Sequence, residues 1–588
     1  MKSVFHRLTH PSPSISRAYS PDSFLNIIKS HRTASKNQQE IITAIKKIVG
    51  ENNCITDPDL KEGYETGERN NLGKSFAVIL PQTSEQVSEV IKILNTSSLG
   101  KRKGVGVVVQ GGNTGLAKQS APTSEDNVIL SMKNFNKGLL RIDTQTKTVT
   151  TTAASTIAEI IEEAKKHGLT LPILFGAYQT AQVGGGFNTN VAGIEAEGYG
   201  SLDSMVRSFK TISANGEETD ITTNPNAKTS AIKQNNGDFG GGGYAGAAGL
   251  YGVITELTID LIDTPKQMEQ LLLIPLDKEQ APQIRAEILE MLEGKGIILS
   301  AFEGISIKLL NKVTDSQNRP PIVTGVDDSD YALLLKFDSS KEQPANDGDF
   351  QTYDPNNKEP FKEAFKNEES LTTIMYYLHD YLFQNKMVKE TTATGNHILE
   401  AREEVSWVLK KSGIVLPFDV AIKDMNRLQE LVERVEEIVI RNIALKSPDT
   451  VVEPTPFGHI GRAALHLNFL LKRSDSEPFT EEARKKILEE LPPEVMKEIE
   501  EEVLNCVILD FDGTPSAEHG LDNTKIGIYV EHTSEDEQQK LIQKKNIIDP
   551  NHIFSRDAWD VFMQEREARG KEPKKPTYWK SCSFGREL

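Results

Sequence analysis

Long apolar runs, paired cysteines and an excess of positive charge are all missing from this sequence of 588 residues. No stretch reaches the roughly 18 uninterrupted apolar residues of a membrane-spanning helix, so none is predicted. The three cysteines, Cys54, Cys506 and Cys582, are far apart and form no CxxC, which excludes a disulfide framework and favours a reducing compartment. With 67 basic and 85 acidic residues, a net charge of -18 argues against nucleic acid as the main partner.

The segment before Asp22 has an unusual composition. It contains Lys2, Arg7 and Arg17, several serines and no carboxylate, and RAYS resembles a protease cleavage site. This is the composition of an organellar transit peptide, although a disordered bacterial amino terminus is the alternative. We therefore expect a mitochondrial location if the protein is eukaryotic, and otherwise a cytoplasmic one or one peripheral to the inner membrane.

Helical and strand-like patterns alternate from about residue 40, and the alternation breaks near Pro265. QQEIITAIKKIVG and TIAEIIEEAKKHGL have the spacing of amphipathic helices that end at glycine, whereas FAVILP and LYGVITELTIDLI have the composition of strands. A chain of this length needs more than one core. We predict an amino-terminal extension at 1–37, domains at 38–265 and 266–555, and a charged tail at 556–588.

Glycine-rich segments that could bind a phosphate lie in the first half. GGGGYAG (240–246) contains GxGxxG, but it is not preceded by a strand or followed by a helix, so a Rossmann site is not expected. QGGNTGL (110–116) follows the strand-like VGVVV, where successive backbone amides can form a nest for an anion. If this motif is considered alone, a flexible turn is the simpler interpretation.

The order of several motifs is more specific than any one of them. QGGNTGL, QVGGGFNTNVAG (182–193), EGYGSLDSMV and GLYGVITEL together resemble the FAD-binding domain of the vanillyl-alcohol-oxidase (PCMH) type. AFEGIS, the Arg402 segment, GHIGRAALHLN and SAEHG resemble the carboxyl-terminal half of FAD-linked D-2-hydroxy acid dehydrogenases, the branch of D-2-hydroxyglutarate and D-lactate dehydrogenases. The resemblance implies an α+β fold, with a two-subdomain FAD-binding domain followed by an α+β cap or substrate domain that has an antiparallel sheet.

The resemblance assigns three glycine loops to FAD. The first would hold the pyrophosphate, the second would line the adenine and ribose, and the third would complete the pocket. Asn113 stands where members with covalent flavin carry a histidine, so we expect non-covalent FAD. The residues assigned to the cofactor are Gly111, Gly112, Asn113, Thr114, Gly115, Leu116, Gly184, Gly185, Asn188, Asn190, Gly249, Gly252, Val253 and Ile254.

Two histidines stand in PFGHIGRAALHLNFLL. If this segment is a hairpin with Gly461 to Ala464 as its loop, Ile460 faces Leu465 and His459 faces His466. Facing residues of an antiparallel pair have Cβ atoms about 4.5–5.5 Å apart, which lets two imidazoles bind one metal ion. A pair of histidines can also simply hydrogen-bond.

A second motif adds to the histidine pair. SAEHGLD places Glu518 and His519 side by side after NCVILDF, which we predict to be a strand. Two histidines and a carboxylate make the ligand count of a catalytic zinc or similar divalent site, although a capped surface turn is the alternative. The resemblance makes the same assignment, with His459, His466 and Glu518 as metal ligands and His519 as the catalytic base.

The substrate would be a small 2-hydroxy acid. Arg402 resembles the family's carboxylate-binding arginine, and Ser406, one helical turn on, stands where the family has a threonine. The alternative for Arg402 is an exposed helix charge with a partner one turn away. His519 would take the hydroxyl proton, FAD the hydride, and the metal, expected to be zinc, would bind the hydroxyl.

The resemblance also carries expectations about partners. Electrons would leave to a quinone, a cytochrome or an electron-transfer flavoprotein rather than to NAD. A homodimer and peripheral contact with a membrane are compatible with it.

Several positions depart from the family pattern. Arg462 and Ala464 alter the usual GDGNLH, Pro417 replaces an expected lysine, and Ala247, Ala248, Gly198 and Leu174 replace polar residues. These changes weaken the assignment to 2-hydroxyglutarate itself. They keep open an FAD-binding protein with weakened catalysis. A flavin oxidase of another alcohol or a sugar is a further alternative, which the predicted metal ligands disfavour.

Overall fold

The structure is a computed structural model, and its description covers residues 36–67, 71–117, 119–136, 138–222, 243–342, 370–395, 397–473, 479–517 and 525–569. Most of the predicted extension, together with Glu518 and His519, lies outside these residues. No helix in the covered ranges is long and apolar enough to cross a membrane.

The first subdomain is built on a four-stranded sheet. Its helices are α1 (Lys36–Val49), α2 (Pro58–Glu65) and α3 (Ser84–Thr96). Its strands are β1 (Cys54–Ile55), β2 (Thr66–Gly67), β3 (Asn71–Leu72), β4 (Ala77–Ile79), β5 (Ser98–Leu99), β6 (Arg102–Lys103), β7 (Gly106–Gln110) and β8 (Asn127–Ser131). The sheet order is β1-β4-β8-β7, with β4, β8 and β7 parallel. The apolar faces of α1 and α3 pack against this sheet, which accounts for their helical spacing in the sequence.

The second subdomain has a five-stranded antiparallel sheet. The strands of this subdomain are β9 (Leu140–Asp143), β10 (Thr148–Thr152), β11 (Leu169–Thr170), β12 (Val206–Ile212), β13 (Glu218–Thr222), β14 (Val253–Asp260) and β15 (Ile262–Asp263). Strands β11 and β15 form a separate two-stranded pair. Its helices are α4 (Ile157–Lys165), α5 (Val183–Thr189) and α6 (Ala196–Tyr199). The order of the sheet is β13-β12-β14-β10-β9. A capping box between Thr156 and Glu159 fixes the start of α4.

The second half of the chain forms an eight-stranded antiparallel sheet. Its strands are β16 (Gln267–Pro275), β17 (Ile297–Ser306), β18 (Tyr331–Ser339), β19 (Val388–Thr394), β20 (Ile414–Ala421), β21 (Thr450–Pro454), β22 (Phe457–Gly458) and β23 (Ala464–Arg473). The order is β19-β16-β18-β17-β22-β23-β20, and β21 also pairs with β23. The predicted antiparallel sheet of the substrate domain is therefore confirmed.

Helices cover both faces of this sheet. They are α7 (Ala281–Leu292), α8 (Ile307–Ser316), α9 (Leu371–Gln384), α10 (His397–Glu403), α11 (Val405–Ser412), α12 (Leu428–Lys446), α13 (Glu481–Glu490) and α14 (Pro493–Phe511). The prediction of a strand at NCVILDF was wrong, because these residues are the last turns of α14. An apolar run fits a buried strand as well as a buried helix, and here Val503 and Val507 are buried at helical spacing.

The chain returns to the first domain at its carboxyl end. Helices α15 (Ile526–His532), α16 (Glu535–Ile548) and α17 (Arg556–Arg569) follow the substrate domain. Trp559 and Phe562 are fully buried in a cluster with Leu250 and Tyr251. The structure thus differs from the predicted tail over residues 556–569, because apolar side chains of α17 pack against the first domain. The domain boundaries near 265 and 555 stay predictions.

A partly buried ionic cluster joins three elements of the substrate domain. Glu453 of β21 lies 2.5 Å from Lys472 of β23, 3.4 Å from Lys312 and 3.4 Å from Lys308 of α8. Burial alone would raise the pKa of Glu453, but its lysine partners outweigh burial and lower that pKa to about 2. The carboxylate therefore keeps three ammonium groups close together.

We predict that Glu453→Gln lowers the free energy of unfolding at neutral pH by about 1–2 kcal/mol, because the lysines lose their shared anion. A depressed pKa stabilises the fold above the ordinary pKa of about 4.3 and ceases to do so as pH falls toward about 2. The difference from the wild type should shrink over that range in urea unfolding. Glu437→Gln, which affects an exposed pair on α12, is the control and should change little. A difference that stays constant with pH would contradict the charge argument.

Candidate functional site

The three glycine loops meet beside the end of β7. Gly111 of the first loop lies against Gly185 of the second, with 3.7 Å between an ideal Cβ at 111 and the Cα of Gly185. The second and third loops are hydrogen-bonded, since the carbonyl of Asn188 accepts from the amide of Ala248 at 2.8 Å. The side-chain oxygen of Asn188 also accepts from the Gly249 amide at 3.3 Å. The segments that the sequence assigns to one cofactor are thus brought together.

Close backbone packing explains why glycine is needed at two of these positions. A Cβ on Gly112 would lie 2.2 Å from the carbonyl oxygen of Thr180, and one on Gly252 would lie 2.5 Å from that of Ile212. Gly252 also has a φ of 139°, which side chains strongly disfavour. Asn113 has a φ of 57°, a left-handed conformation that asparagine tolerates better than most residues.

The space at the loops suits a polar cofactor. Among the described residues, nothing lies within 4 Å of an ideal Cβ on Gly115. The side-chain oxygens of Asn113 and Gln182 are buried and accept no hydrogen bond from the part of the chain that the structure describes. Open space beside such acceptors fits a ligand with hydroxyl and amide donors, and FAD is such a ligand.

Two of the residues assigned to FAD lie deeper than the loops. The side chains of Val253 and Ile254 are buried in the apolar cores of the first domain. Only their backbone is therefore in a position to contact a cofactor. Direct contacts from these and the other assigned residues stay predictions.

Four ionisable side chains form a row across one face of the eight-stranded sheet, here called the polar row. They are Glu303 of β17, His459 in the turn after β22, His466 of β23 and Asp419 of β20. His459 Nδ1 contacts Glu303 Oε1, and His466 Nδ1 lies 3.7 Å from Asp419 Oδ1. The centroids of the two imidazole rings are 6.1 Å apart. The sheet therefore brings the two predicted metal-binding histidines together, each beside a carboxylate.

The predicted register of the histidine hairpin was wrong. His466 is opposite Phe457 rather than opposite His459, and the turn takes up residues 459–463. The reason is that β22 is short and ends at Gly458, whose φ of 146° turns the backbone out of the ladder. His459 nevertheless stays beside His466, because the turn folds back on the same face.

A buried guanidinium stands next to the polar row. Arg402 of α10 donates from Nε to Glu303 Oε2 at 2.8 Å, and its Cζ lies 4.3 Å from the ring centroid of Phe457. Burial alone would raise the pKa of Glu303, but His459 and Arg402 outweigh burial and lower that pKa to about 2. Arg402 is thus not an exposed helix charge. The helix breaks after Glu403, and Ser406 is exposed near the start of α11.

The sequence analysis did not identify Glu303 and Asp419 as site residues. Each is the one carboxylate in an otherwise apolar strand, IILSAFEGIS for Glu303 and IVLPFDVA for Asp419. A carboxylate is rarely buried without a partner, so its presence in such a strand is a usable signal. The partners themselves come from other elements and cannot be read from either strand.

The polar row supplies two possible metal donors, one from each histidine. Histidines that bind a metal through one ring nitrogen usually direct the other to a carboxylate. His459 Nδ1 contacts Glu303, whereas His466 Nδ1 lies 3.7 Å from Asp419, beyond hydrogen-bond distance. Nε2 is then the nitrogen of each ring that could bind the ion. Within the covered ranges, no three His, Cys, Asp or Glu side chains stand close enough to form a metal site. The third predicted ligand, Glu518, lies outside those ranges.

The segment leading to Glu518 and His519 ends at the polar row. The amide of Ala517 donates to the carbonyl of Asp419 at 3.3 Å, and Ser516 Oγ donates to its carboxylate at 3.3 Å. Ala517 is therefore hydrogen-bonded to β20, the strand in which Asp419 is opposite His466. The roles of Glu518 and His519 stay predictions.

Charged residues hold the flavin half against the substrate half. Glu197 of α6 forms an ion pair with Arg285 of α7 at 2.6 Å. Arg462 donates to the backbone carbonyl of Glu197 at 2.7 Å. An ideal Cβ on Gly198 would lie 2.9 Å from the Cα of Ser300. Gly198 and Arg462, which depart from the family pattern, thus both lie at the contact between the two halves.

A separate cavity lies on the other face of the eight-stranded sheet. Its volume is about 450 Å³, and Tyr331, Ile460 and Leu465 are among the residues that line it. No member of the polar row lines it. We therefore do not place the reaction there.

We predict that Gly115→Ala weakens FAD binding without changing the thermal unfolding of the flavin-free protein. The added methyl enters space that the described residues leave open, where a bound cofactor would meet it. The dissociation constant of FAD would be measured by fluorescence, beside calorimetry of both forms. Gly63→Ala, at an open position of α2, is the control and should leave flavin binding unchanged. Equal FAD affinity in the Gly115 variant would exclude close contact at this position.

Comparisons with known proteins agree with this geometry. Residues 76–222 match the family described as "FAD binding domain", and residues 360–558 match "FAD linked oxidases, C-terminal domain". The chain is 24% identical over 519 residues to "Probable D-2-hydroxyglutarate dehydrogenase, mitochondrial" of Oryza sativa subsp. indica, covering 87% of this chain and 80% of that protein. It is 26% identical over 509 residues to "D-2-hydroxyglutarate dehydrogenase, mitochondrial" of Rattus norvegicus, covering 85% and 81%.

A solved structure supports the fold. The 4-ethylphenol oxidase of Gulosibacter chungangensis, in an isoeugenol complex, superposes with a TM-score of 0.59 at 12% identity, covering 89% of this chain and 97% of that one. The predicted α+β fold with a PCMH-type FAD domain is confirmed. The chain belongs to the FAD-linked oxidoreductases that join such an FAD-binding domain to an FAD-linked oxidase C-terminal domain.

Proposed function

We propose that the protein oxidises a D-2-hydroxy acid of the D-lactate or D-2-hydroxyglutarate class to the 2-oxo acid. The observation that carries the proposal is the polar row with a buried arginine beside it, on the sheet of the substrate domain. The names of the rice and rat relatives support the substrate class. Bound FAD, held non-covalently by the three glycine loops, would accept the hydride from C2.

Arg402 is proposed to bind the substrate carboxylate. A guanidinium fork matches a carboxylate with two parallel hydrogen bonds. Glu303 accepts a hydrogen bond from Nε of Arg402, and the ring of Phe457 packs against the guanidinium. The two Nη atoms of Arg402 are therefore the part that a substrate would contact. Ser406 would contribute a second polar contact.

His459 and His466 would bind a divalent metal through Nε2, together with Glu518. Zinc is the expected ion, since two histidines and a carboxylate are a common zinc ligand set. A metal bound there would lower the pKa of the substrate hydroxyl. His519 would then remove the hydroxyl proton, because a histidine titrates near neutral pH.

The electron acceptor is proposed to be a quinone, a cytochrome or an electron-transfer flavoprotein, and the protein to act as a homodimer. A mitochondrial location would follow if the protein is eukaryotic, in keeping with the names of its rice and rat relatives. A basic, serine-rich stretch before Asp22 supports that location.

Pro417 favours a monocarboxylic substrate. It is opposite Asn468, two residues along β20 from the pair of Asp419 and His466. Residues two apart in a strand share a face, so Pro417 belongs to the same surface as the polar row and supplies no charge there. We therefore expect D-lactate to be a better substrate than D-2-hydroxyglutarate.

The first test is anaerobic mixing of the FAD-loaded protein with a panel of D- and L-2-hydroxy acids. We expect D-acids to bleach the absorbance of oxidised flavin, D-lactate fastest, and a chelator to slow the bleaching. Bleaching by sugars or other alcohols, unaffected by chelator, would favour the oxidase alternative. A yellow protein that no compound bleaches would contradict the proposal and favour weakened catalysis.

A second test addresses the metal. Glu303→Gln should weaken zinc binding to chelator-treated protein by about 10–100-fold, because His459 loses the carboxylate that orients its ring. Calorimetric titration with zinc measures this without turnover. Glu453→Gln is the control, since it removes a partly buried, ion-paired carboxylate of the same domain and should leave zinc affinity unchanged. Equal zinc affinity in wild type and Glu303→Gln would exclude this role of Glu303.

A further inference from the structure

A lysine with no exposed surface lies between the flavin domain and the carboxyl-terminal helices. Lys545 of α16 is 0% exposed. Its Nζ donates to the carbonyl of Leu250 at 2.7 Å, to Asp549 Oδ2 at 2.8 Å and to the carbonyl of Phe554 at 2.8 Å. An ammonium group has three protons, so each of them has an acceptor here.

The two carbonyls belong to segments that carry the flavin loops. Leu250 lies in the third loop, next to Gly249 and Gly252. Phe554 lies in a segment that pairs with β7, because the amide of Val107 donates to the carbonyl of Ile553 at 2.7 Å. In return, the amide of Ser555 donates to the carbonyl of Val107 at 3.0 Å. Strand β7 leads directly into the first glycine loop.

Further hydrogen bonds strengthen this connection. Ser555 Oγ donates to the carbonyl of Ala248 at 3.0 Å, which attaches the same segment to the third loop. Asp549 accepts from the amides of Ile553 and Phe554, each at 2.9 Å, and so shapes the turn that presents the Phe554 carbonyl. Lys545 thus joins the third loop to the segment that supports the first.

Burying a charge here has a cost. Burial lowers the pKa of Lys545 to about 8, against the opposite effect of Asp549. A buried ion pair stabilises a fold no better than apolar packing in many proteins, so its value is more often in fixing a geometry. The geometry fixed here is the distance between two loops.

We propose that Lys545 is a positioning residue of the flavin site, which sets the third glycine loop relative to the first through the Leu250 carbonyl. It acts through the loops. The inference rests on the assignment of those loops to FAD and is independent of the substrate. If the wild-type protein fails to bind FAD, the loop assignment itself is wrong.

The test compares Lys545→Met with Lys540→Met, the same substitution at a surface ion pair of α16. The Lys545 variant should bind FAD about tenfold or more weakly, since one charged hydrogen bond is of that order. Its bound flavin should also show an altered visible circular dichroism spectrum, which a purely structural role would not change. The Lys540 variant should match the wild type in both. Unchanged affinity and spectrum in a folded Lys545→Met protein would overturn the proposal.

A double variant guards against loss of folding. Lys545→Met with Asp549→Asn removes both charges together and leaves no buried ion without its partner. An asparagine at 549 offers one acceptor to the two turn amides, so this variant should fold but unfold below the Lys540→Met apoprotein, and it should retain the flavin defect. Normal FAD binding in this variant would overturn the proposal. So would failure of both Lys545 variants to fold, because the lysine would then serve the fold rather than the flavin site.

Discussion

A carboxylate without any exposed surface, Glu303, holds the substrate-domain site together. An ionised carboxylate costs several kcal/mol to bury unless charged partners surround it. Its partners here are Arg402, from α10, and His459, from the turn after β22. The pairing requires a helix, a turn and a central strand to meet at one point. Glu303 therefore couples the position of the candidate substrate arginine to that of a candidate metal ligand.

Antiparallel pairing places further ionisable side chains beside Glu303, which together form the polar row. Residues directly opposite each other share a face, so Asp419 and His466 meet on the same side of the sheet as Glu303. Each histidine faces a carboxylate through Nδ1, which limits the directions in which its other ring nitrogen can act. The carbonyl of Asp419 also accepts from the amide of Ala517, so the described segment before Glu518 ends at the same place.

Paired charges likewise join the flavin half to the substrate half. Lys336 of β18 contacts Glu195 and lies 3.0 Å from Asp338, and all three are buried. The ion pair of Glu197 and Arg285 joins α6 to α7. At the other end, the carboxyl-terminal segment packs on the flavin loops after the substrate domain is complete. The flavin loops of the first half are thus supported by the carboxyl-terminal segment.

Local signals in the sequence determined a good part of this protein. Gly50 and Thr83 mark the ends of helices because caps and stops act within one turn, and the order of the glycine motifs identified the FAD domain. The pair of histidines could also be found by inspection. NCVILDF was misassigned because an apolar run has no period that separates a buried helix from a buried strand.

Tertiary structure alone decided the register of the histidine turn, the partners of Arg402 and the return of α17 to the first domain. Glu303 is 99 residues from Arg402, and Lys545 is 295 residues from Leu250. No local pattern encodes such pairs. Sequence thus sets which groups are available, whereas the shared burial of distant segments sets which groups meet, because a buried charge or carbonyl must find its partner wherever the fold provides one.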